Sequence, residues 1–258
     1  LYHQTHHEKP IYGGYESRIS LDVMDPTQQV TQTYFLNMFH MFGSENDVIK
    51  QDLTTHGLSL FDYFDIKYVT LHKELAKQSK ISGIKQILSQ ILNEKMPIYE
   101  DSKIVVYKIP KPTSTEPFLV LGSGWHQYHG CVGEIAYVYD CNARSTMKNS
   151  EILIVNPTNS DVNITLNLVL SSALNDFAEQ NKKTMQFSLN NEKITELTVP
   201  AAPIDIQIED LIIKPGVNVV TLDTNQFSTV YYGLTGTEID DRKKLTLSFH
   251  VQSISILN

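Results

Sequence analysis

Apolar and polar residues alternate along several stretches in the second half of the chain. The alternation is clearest at residues 162–170, 204–208 and 245–251. A period of two directs one side chain toward water and the next toward a core, as in a half-buried strand. Turn-forming residues such as Pro215-Gly216 separate these stretches. Short alternating strands with this spacing predict an antiparallel β-sandwich, jelly-roll or Ig-like, over residues 113–258.

The first half shows a helical period instead. Apolar residues recur at three- and four-residue spacings over residues 28–42 and 73–93, which predicts two amphipathic helices. A further short helix is predicted over residues 47–54. Residues 66–71 are short, β-branched and flanked by polar residues, which predicts a buried strand. Two strand-like runs around a polar turn predict a hairpin over residues 97–109.

A proline-rich stretch separates the two halves. Pro110, Pro112 and Pro117 surround a run of threonine and serine, which is typical of a linker between domains. We therefore predict an α+β protein with a small α/β domain over residues 1–112 and the sandwich over residues 113–258. The length of 258 residues and the 41% apolar content fit a globular chain of this size.

The charge is uneven along the chain. Residues 1–112 hold 12 basic and 13 acidic side chains, a net charge of −1, and residues 113–258 hold 9 and 16, a net charge of −7. An acidic second half repels phosphate backbones, so we predict no nucleic-acid partner. The sequence has no run of about 18 apolar residues and no signal-peptide layout at its start. Because the chain begins at Leu1 rather than at a methionine, we expect it to be a fragment of a longer protein.

Residues 2–18 form the segment that most resembles a functional site. His3, His6 and His7 are residue types that bind zinc, but their spacing fits no helical zinc motif. In an extended segment, His6 and His7 point in opposite directions, so only two of the three converge easily. They are weak metal candidates, and we favour histidines that pack or form hydrogen bonds.

The same segment holds a pair of glycines between two tyrosines. Tyr12 and Tyr15 could stack on a sugar while the glycines allow the backbone to approach it, and Arg18 could bind a phosphate or carboxylate. The alternative is a tight turn with packed aromatic residues and an arginine paired to a nearby acid. The sequence favours the turn, and the three side chains are speculative ligand-binding residues.

A second aromatic cluster surrounds the single tryptophan. Trp125, Tyr128 and His129 could form a platform that stacks on carbohydrate. Alternatively, Trp125 fills the core of the sandwich, which is the common role of a lone tryptophan in such folds. We favour the core role.

The two cysteines, Cys131 and Cys141, leave the redox state open. Ten residues apart, they could form a local disulfide outside the cell or remain two thiols inside it. The sequence contains no nucleophile-elbow motif and no glycine-rich phosphate loop, so no catalytic residue is assigned. We expect no cofactor.

Two segments resemble a known family of membrane proteins. The run at residues 3–18, HQTHHEKPIYGGYESR, resembles a "Y-x-Q-T-x-H-x-K-P-I-x-G-G-Y-x-S-R" segment of large prokaryotic membrane proteins. These belong to the glycosyltransferase C superfamily and are related to dolichyl-phosphate-mannose protein mannosyltransferases. Residues 65–73, DIKYVTLHK, resemble their "I-K-Y-V-V-L-H-K" strand, and residues 215–218 and 241–247 are loosely similar to their closing β-sandwich.

The resemblance implies a non-catalytic extracytoplasmic region whose membrane helices lie elsewhere in the parent protein. In that superfamily the catalytic acids lie among the membrane helices, so none is carried over to this chain. Possible partners are a glycan or a lipid-linked sugar, and the region would support acceptor positioning or assembly. An outside location makes the Cys131–Cys141 disulfide more plausible. The alternatives are a carbohydrate-binding module and a metal-dependent hydrolase that uses His3, His6 and His7.

Overall fold

The computed structural model describes residues 47–74, 78–93, 96–129, 143–172, 183–226, 228–231, 244–247 and 249–257. Two helices and fifteen strands lie in these residues, and every pair of neighbouring strands is antiparallel. The helix predicted over residues 28–42 lies outside the described residues.

Two helices occupy the first part of the described chain. Helix α1 spans Leu53–Tyr63 and helix α2 spans Gln78–Ile91. The Asp52 carboxylate caps α1 by accepting a hydrogen bond from the Thr54 backbone N–H at 3.0 Å. Asn93 follows α2 with a φ of 52°, a left-handed conformation that asparagine tolerates after a helix. Helix α2 confirms the prediction of a helix in this region.

A three-stranded sheet packs beside these helices. Strands β1 (Tyr68–His72), β2 (Tyr99–Glu100) and β3 (Ile104–Lys108) are arranged in the order β1-β3-β2. The β2–β3 pair confirms the predicted hairpin. One face of the sheet packs against α1 and α2 in a shared apolar cluster, to which this sheet contributes Val69, Leu71, Val105 and Tyr107.

Twelve further strands lie in the described residues, and ten of these twelve form the predicted antiparallel sandwich. The twelve are β4 (Phe118–Leu121), β5 (Trp125–His129), β6 (Ala143–Thr146), β7 (Asn149–Asn156), β8 (Val162–Ser172), β9 (Lys183–Leu189), β10 (Glu192–Val199), β11 (Ile204–Ile213), β12 (Gly216–Asp223), β13 (Ser228–Tyr231), β14 (Lys244–Leu247) and β15 (Phe249–Leu257). One five-stranded sheet has the order β10-β9-β12-β7-β4, and the other has the order β11-β8-β15-β6-β5. Strands β13 and β14 form a separate pair.

Alternation along the strands builds the core between the two large sheets. In β8, Ile164, Leu166, Leu168 and Leu170 are buried, while the residues between them, Thr165, Asn167 and Val169, are partly exposed. These four side chains join a single apolar cluster with residues of the opposite sheet. Burying one face of each sheet accounts for the period of two that the sequence shows.

Strand β4 is buried on both of its faces. Leu119 and Leu121 point into the sandwich core, whereas Phe118 and Val120 belong to the apolar cluster beneath the helices. The rings of Phe118 and Tyr63 of α1 meet edge to face, with their centroids 6.2 Å apart. The helices therefore cover the outer face of this sheet at its β4 edge.

The predicted helix over residues 47–54 is wrong, because most of this segment runs extended along the sandwich. Ile49 forms a parallel bridge with Ile254 of β15, and the Lys50 N–H donates to the Ile254 carbonyl at 2.8 Å. The Gln51 side chain pairs with the backbone of Leu119, donating at 3.1 Å and accepting at 3.0 Å. These tertiary hydrogen bonds replace the helical ones, and the helix begins only at residue 53.

The predicted domain boundary near residue 112 stays a prediction. Val48 and Ile49 belong to the sandwich core although they precede this boundary. The contacts across it show that residues 47–51 complete the sandwich, a role that their local sequence pattern does not reveal.

Candidate functional site

The N-terminal candidates lie outside the described residues. These are the metal candidates His3, His6 and His7 and the ligand candidates Tyr12, Tyr15 and Arg18. Cys131 and Cys141 also lie outside them. The metal, ligand and disulfide hypotheses for these side chains stay predictions.

Trp125 lies in the core of the sandwich. Its side chain is 2% exposed and packs in the cluster between the two sheets. The indole N–H donates to the Glu151 carbonyl at 2.7 Å, which satisfies the one polar group of the ring. Trp125 therefore fills the core position that the sequence favoured, and its ring offers no exposed stacking surface. Of Tyr128 and His129, the structure describes only the backbone, which continues strand β5.

The turn before Trp125 depends on a glycine. Gly124 has a φ of +83°, and a Cβ at this position would lie 2.0 Å from the Asn149 carbonyl oxygen. The backbone N–H of Met147 and the hydroxyl of Ser150 both donate to the Gly124 carbonyl. The turn thus fixes the entry of β5 by close backbone packing.

A buried ion pair joins residue 47 to the sandwich. The Arg144 guanidinium of β6 is fully buried and donates from Nε and Nη2 to the two oxygens of Asp47, at 2.7 and 2.6 Å. Its Nη1 donates to the His126 carbonyl at 3.0 Å, and the Val48 N–H donates to Asp47 at 2.7 Å. With its hydrogen bonds satisfied on both sides, this pair is structural.

A buried serine and histidine lie side by side on β6 and β15. Ser145 Oγ and His250 Nδ1 are 3.0 Å apart, and Ser171 of β8 is the register partner of His250. A hydroxyl beside an imidazole has the chemistry of a nucleophile and its base. Ser145 is fully buried and His250 is 5% exposed, so a substrate cannot approach the hydroxyl. The contact holds neighbouring strands together.

Burial lowers the pKa of two basic side chains in the described residues. Burial lowers the pKa of His56 in α1, although the nearby carboxylates of Glu116 and Asp52 oppose this shift. Burial also lowers the pKa of Lys183, at the start of β9, to about 8. Neither side chain lies on the three-stranded sheet.

The exposed face of the three-stranded sheet is the strongest candidate site. We define the tyrosine face as the seven side chains that point away from the helices: Tyr68, Thr70, His72, Tyr99, Ile104, Val106 and Lys108. Their neighbours along β1 and β3 pack inward, so the alternation of the strands places these seven on the outside. Tyr68 is 54% exposed and Tyr99 is 51% exposed. The structure thus brings together two aromatic rings that are far apart in sequence.

The hairpin turn holds the ring of Tyr99 in place. The Tyr99 hydroxyl donates to the Asp101 carboxylate at 2.8 Å. That carboxylate also accepts from the backbone N–H groups of Lys103 and Ile104, each at 2.7 Å. These backbone hydrogen bonds lower the pKa of Asp101, and the bond to Asp101 raises the pKa of Tyr99. At neutral pH the hydroxyl is therefore protonated and the carboxylate ionised, as this hydrogen bond requires.

Sequence reasoning missed the tyrosine face. The run at residues 66–71 predicted a buried strand, but β1 alternates between exposed and partly buried positions. The alternation of Tyr68, Thr70 and His72 with Val69 and Leu71 was the available signal. It went unrecognised because tyrosine and threonine are also common in buried strands.

Within the described residues, no group of three or more His, Cys, Asp and Glu side chains could hold a metal ion. No helix in this part of the chain is long and apolar enough to span a membrane. No family model matches the sequence, and no curated protein matches it.

Several solved structures are similar to part of the chain, and all of these similarities are weak. One is a family 35 carbohydrate-binding module from an environmental isolate, with 14% identity over 55% of this chain and 93% of that one and a TM-score of 0.30. The family 35 module of Abf62 from Cellvibrio japonicus shows 12% identity over 55% and 93% of the two chains, also with a TM-score of 0.30. A family 36 module of a xylanase from the hindgut metagenome of Trinervitermes trinervoides shows 11% identity over 55% and 98%, with the same TM-score. Similarities of this size do not carry a function from those proteins to this chain.

Proposed function

We propose that this chain is a non-catalytic domain that binds glycans through its tyrosine face. The observation that carries the proposal is the pair of half-exposed rings, Tyr68 and Tyr99, on one open face of a β-sheet. A tyrosine ring stacks well on the apolar face of a sugar and presents a hydroxyl to its polar edge. Thr70 follows Tyr68 on the same face of β1 and adds a hydroxyl there, and Val106 of β3 lies between Thr70 and Tyr99.

The face is held ready for a ligand before binding. Its backbone belongs to a hydrogen-bonded sheet whose inner side packs on two helices. The hydrogen bond to Asp101 restrains the Tyr99 ring, so binding loses less side-chain entropy there than at a free tyrosine. Rigid aromatic side chains on a regular element are well suited to recognition.

The spacing of the two rings sets the size of the ligand. On β3, Tyr68 is paired with Lys108 and Tyr99 is paired with Val106. The two tyrosines are therefore offset by two residues in the strand direction and lie two strands apart. Strand spacings of about 4.8 Å and a rise of about 3.3 Å per residue place their backbones about 12 Å apart. A ligand that contacts both rings must therefore be an oligosaccharide rather than a monosaccharide.

Calorimetric titration of the 258-residue chain with neutral and acidic oligosaccharides tests this proposal. We expect Tyr68→Ala and Tyr99→Ala each to weaken binding about tenfold, because stacking on one ring is lost. Tyr68→Phe keeps the ring and is expected to keep most of the affinity. Ile212→Ala serves as the surface control, because Ile212 is 58% exposed and lies on strand β11 of the sandwich rather than on the three-stranded sheet. Binding that survives loss of both tyrosine rings would refute the site, and absence of binding to any oligosaccharide would refute the function.

We further propose that the chain is the extracytoplasmic region of a membrane glycosyltransferase-like protein. The support is the sequence resemblance at residues 3–18 and 65–73, and the second of these segments contains strand β1. In this role the domain would position a glycan acceptor or a lipid-linked sugar beside a catalytic centre located elsewhere in the parent. The test is glycosyl transfer by the full-length protein after Tyr15→Ala and Arg18→Ala. Transfer that is unchanged, with stability also unchanged, would count against a role for residues 3–18.

A further inference from the structure

We infer that the preferred ligand of the tyrosine face is an acidic oligosaccharide, whose carboxylate pairs with Lys108. This inference rests on the proposed function and specifies its substrate class. It follows from the charges that the fold leaves unpaired on this side of the molecule.

Most lysines around the three-stranded sheet are already neutralised. Lys67 pairs with Asp65 at 2.7 Å and with Asp62 at 3.6 Å. Lys73 and Lys85 both pair with Glu100, each at 2.8 Å. Asp62, Asp65 and Glu100 are thus engaged with lysines that lie off the tyrosine face.

Lys108 differs from these lysines. It is exposed on the tyrosine face and forms no ion pair within the described part of the chain. None of the seven side chains of the face is a carboxylate, while Lys108 and His72 are basic residue types. Asp101, at the end of the hairpin, is occupied by the Tyr99 hydroxyl and two backbone N–H groups. A ligand with a carboxylate therefore meets an unopposed ammonium group on this face, although the whole chain carries a net charge of −8.

The position of Lys108 matches a ligand stacked on the rings. Lys108 lies directly opposite Tyr68 on the neighbouring strand, where side-chain Cβ atoms are about 5 Å apart. It lies diagonally from Tyr99, at about 7–8 Å. An ammonium group on a flexible stem of four carbons can reach a carboxylate on a sugar that covers either ring.

The experiment compares two oligosaccharides of the same length and linkage, one of neutral hexoses and the other of the corresponding uronic acids. Affinities are measured by calorimetry on the whole chain at low and high salt. We expect tighter binding of the acidic ligand, by about two- to fivefold at low salt, as for one exposed ion pair. High salt should reduce this preference.

Lys108→Gln is expected to bring the ratio of acidic to neutral affinities to about one, because the ammonium group that distinguishes the two ligands is removed. Lys103→Gln is the matched control, because Lys103 is also exposed and unpaired within the described residues but lies in the hairpin turn. A wild-type chain that binds both ligands equally, or a preference that survives Lys108→Gln, would overturn the inference. If either of these results is found but binding still depends on Tyr68 and Tyr99, the inference fails and the proposed function stands. If no oligosaccharide binds at all, both the inference and the proposed function fail.

Discussion

Replacing Asp47 with alanine tests whether residues 47–51 are part of the sandwich. The variant leaves the Arg144 guanidinium fully buried without its counter-ion and with the His126 carbonyl as its remaining described acceptor. Removing one partner of a buried ion pair lowers the free energy of unfolding by about 3–5 kcal/mol, because the remaining charge stays buried without a counter-ion. We expect Asp47→Ala to lose this amount.

Equilibrium urea denaturation measures the loss. Trp125 is the only tryptophan and is buried, so its fluorescence reports unfolding of the sandwich, and far-ultraviolet circular dichroism provides a second probe. With a denaturant slope of about 2–3 kcal/mol per molar, the expected change lowers the midpoint by about 1–2.5 M urea.

Two further variants separate the causes. Glu196→Ala breaks the exposed pair with Lys193, whose side chains are about half exposed, and is expected to change stability by less than about 0.5 kcal/mol. Combining Asp47→Ala with Arg144→Met removes both buried charges and should recover part of the loss. If Asp47→Ala costs no more than Glu196→Ala, or if the double variant is less stable than the single one, the argument for a buried, desolvated pair is wrong.

Three other predictions concern backbone, pH and boundaries. Gly216→Ala should lower the free energy of unfolding in urea by about 1 kcal/mol, because Gly216 has a positive φ but open space around it. Gly124→Ala should cost more than this, because Gly124 also has a positive φ and its added Cβ would meet the backbone of Asn149. The pKa of Lys183 is about 8 in the folded chain and 10.5 as a free side chain. Between pH 8 and pH 10.5 the unfolded state therefore binds more protons at this residue than the folded state does. Stability should therefore rise from pH 8 to 10.5, and Lys183→Met should flatten that rise; an unchanged pH profile would contradict this. A fragment of residues 113–258 should expose apolar surface to a hydrophobic dye, whereas a fragment of residues 47–258 should not. The shorter fragment lacks both Val48 and Ile49 of the sandwich core and the helices that cover Phe118 and Val120.

The elements that the sequence predicted correctly are those with a strong local period. Helix α2 repeats its apolar residues at three- and four-residue spacings, and β8 alternates strictly over most of its length. Each pattern records which face of a single element is buried, so a single segment is enough to reveal it. The sandwich followed because several such strands are separated by turn residues.

The wrong or missed assignments are those that depend on partners far away in the chain. The extended form of residues 47–51 is fixed by Leu119, Arg144 and Ile254, which lie about 70 to 200 positions later in the sequence. Strand β1 was expected to be buried, but in the fold only one side of its sheet is covered by helices.

The sequence by itself determined the type of most described elements, the presence of a sandwich and the acidic character of the second half. It also raised both roles for Trp125, and the packing between the sheets decided for the core. Tertiary structure alone placed Tyr68, Tyr99 and Lys108 on one open face, since strand pairing joins β1 and β2 through β3. The physical reason is that local periodicity reports whether a side chain is buried or exposed, whereas a binding face depends on register between strands, which is set by contacts across the whole fold.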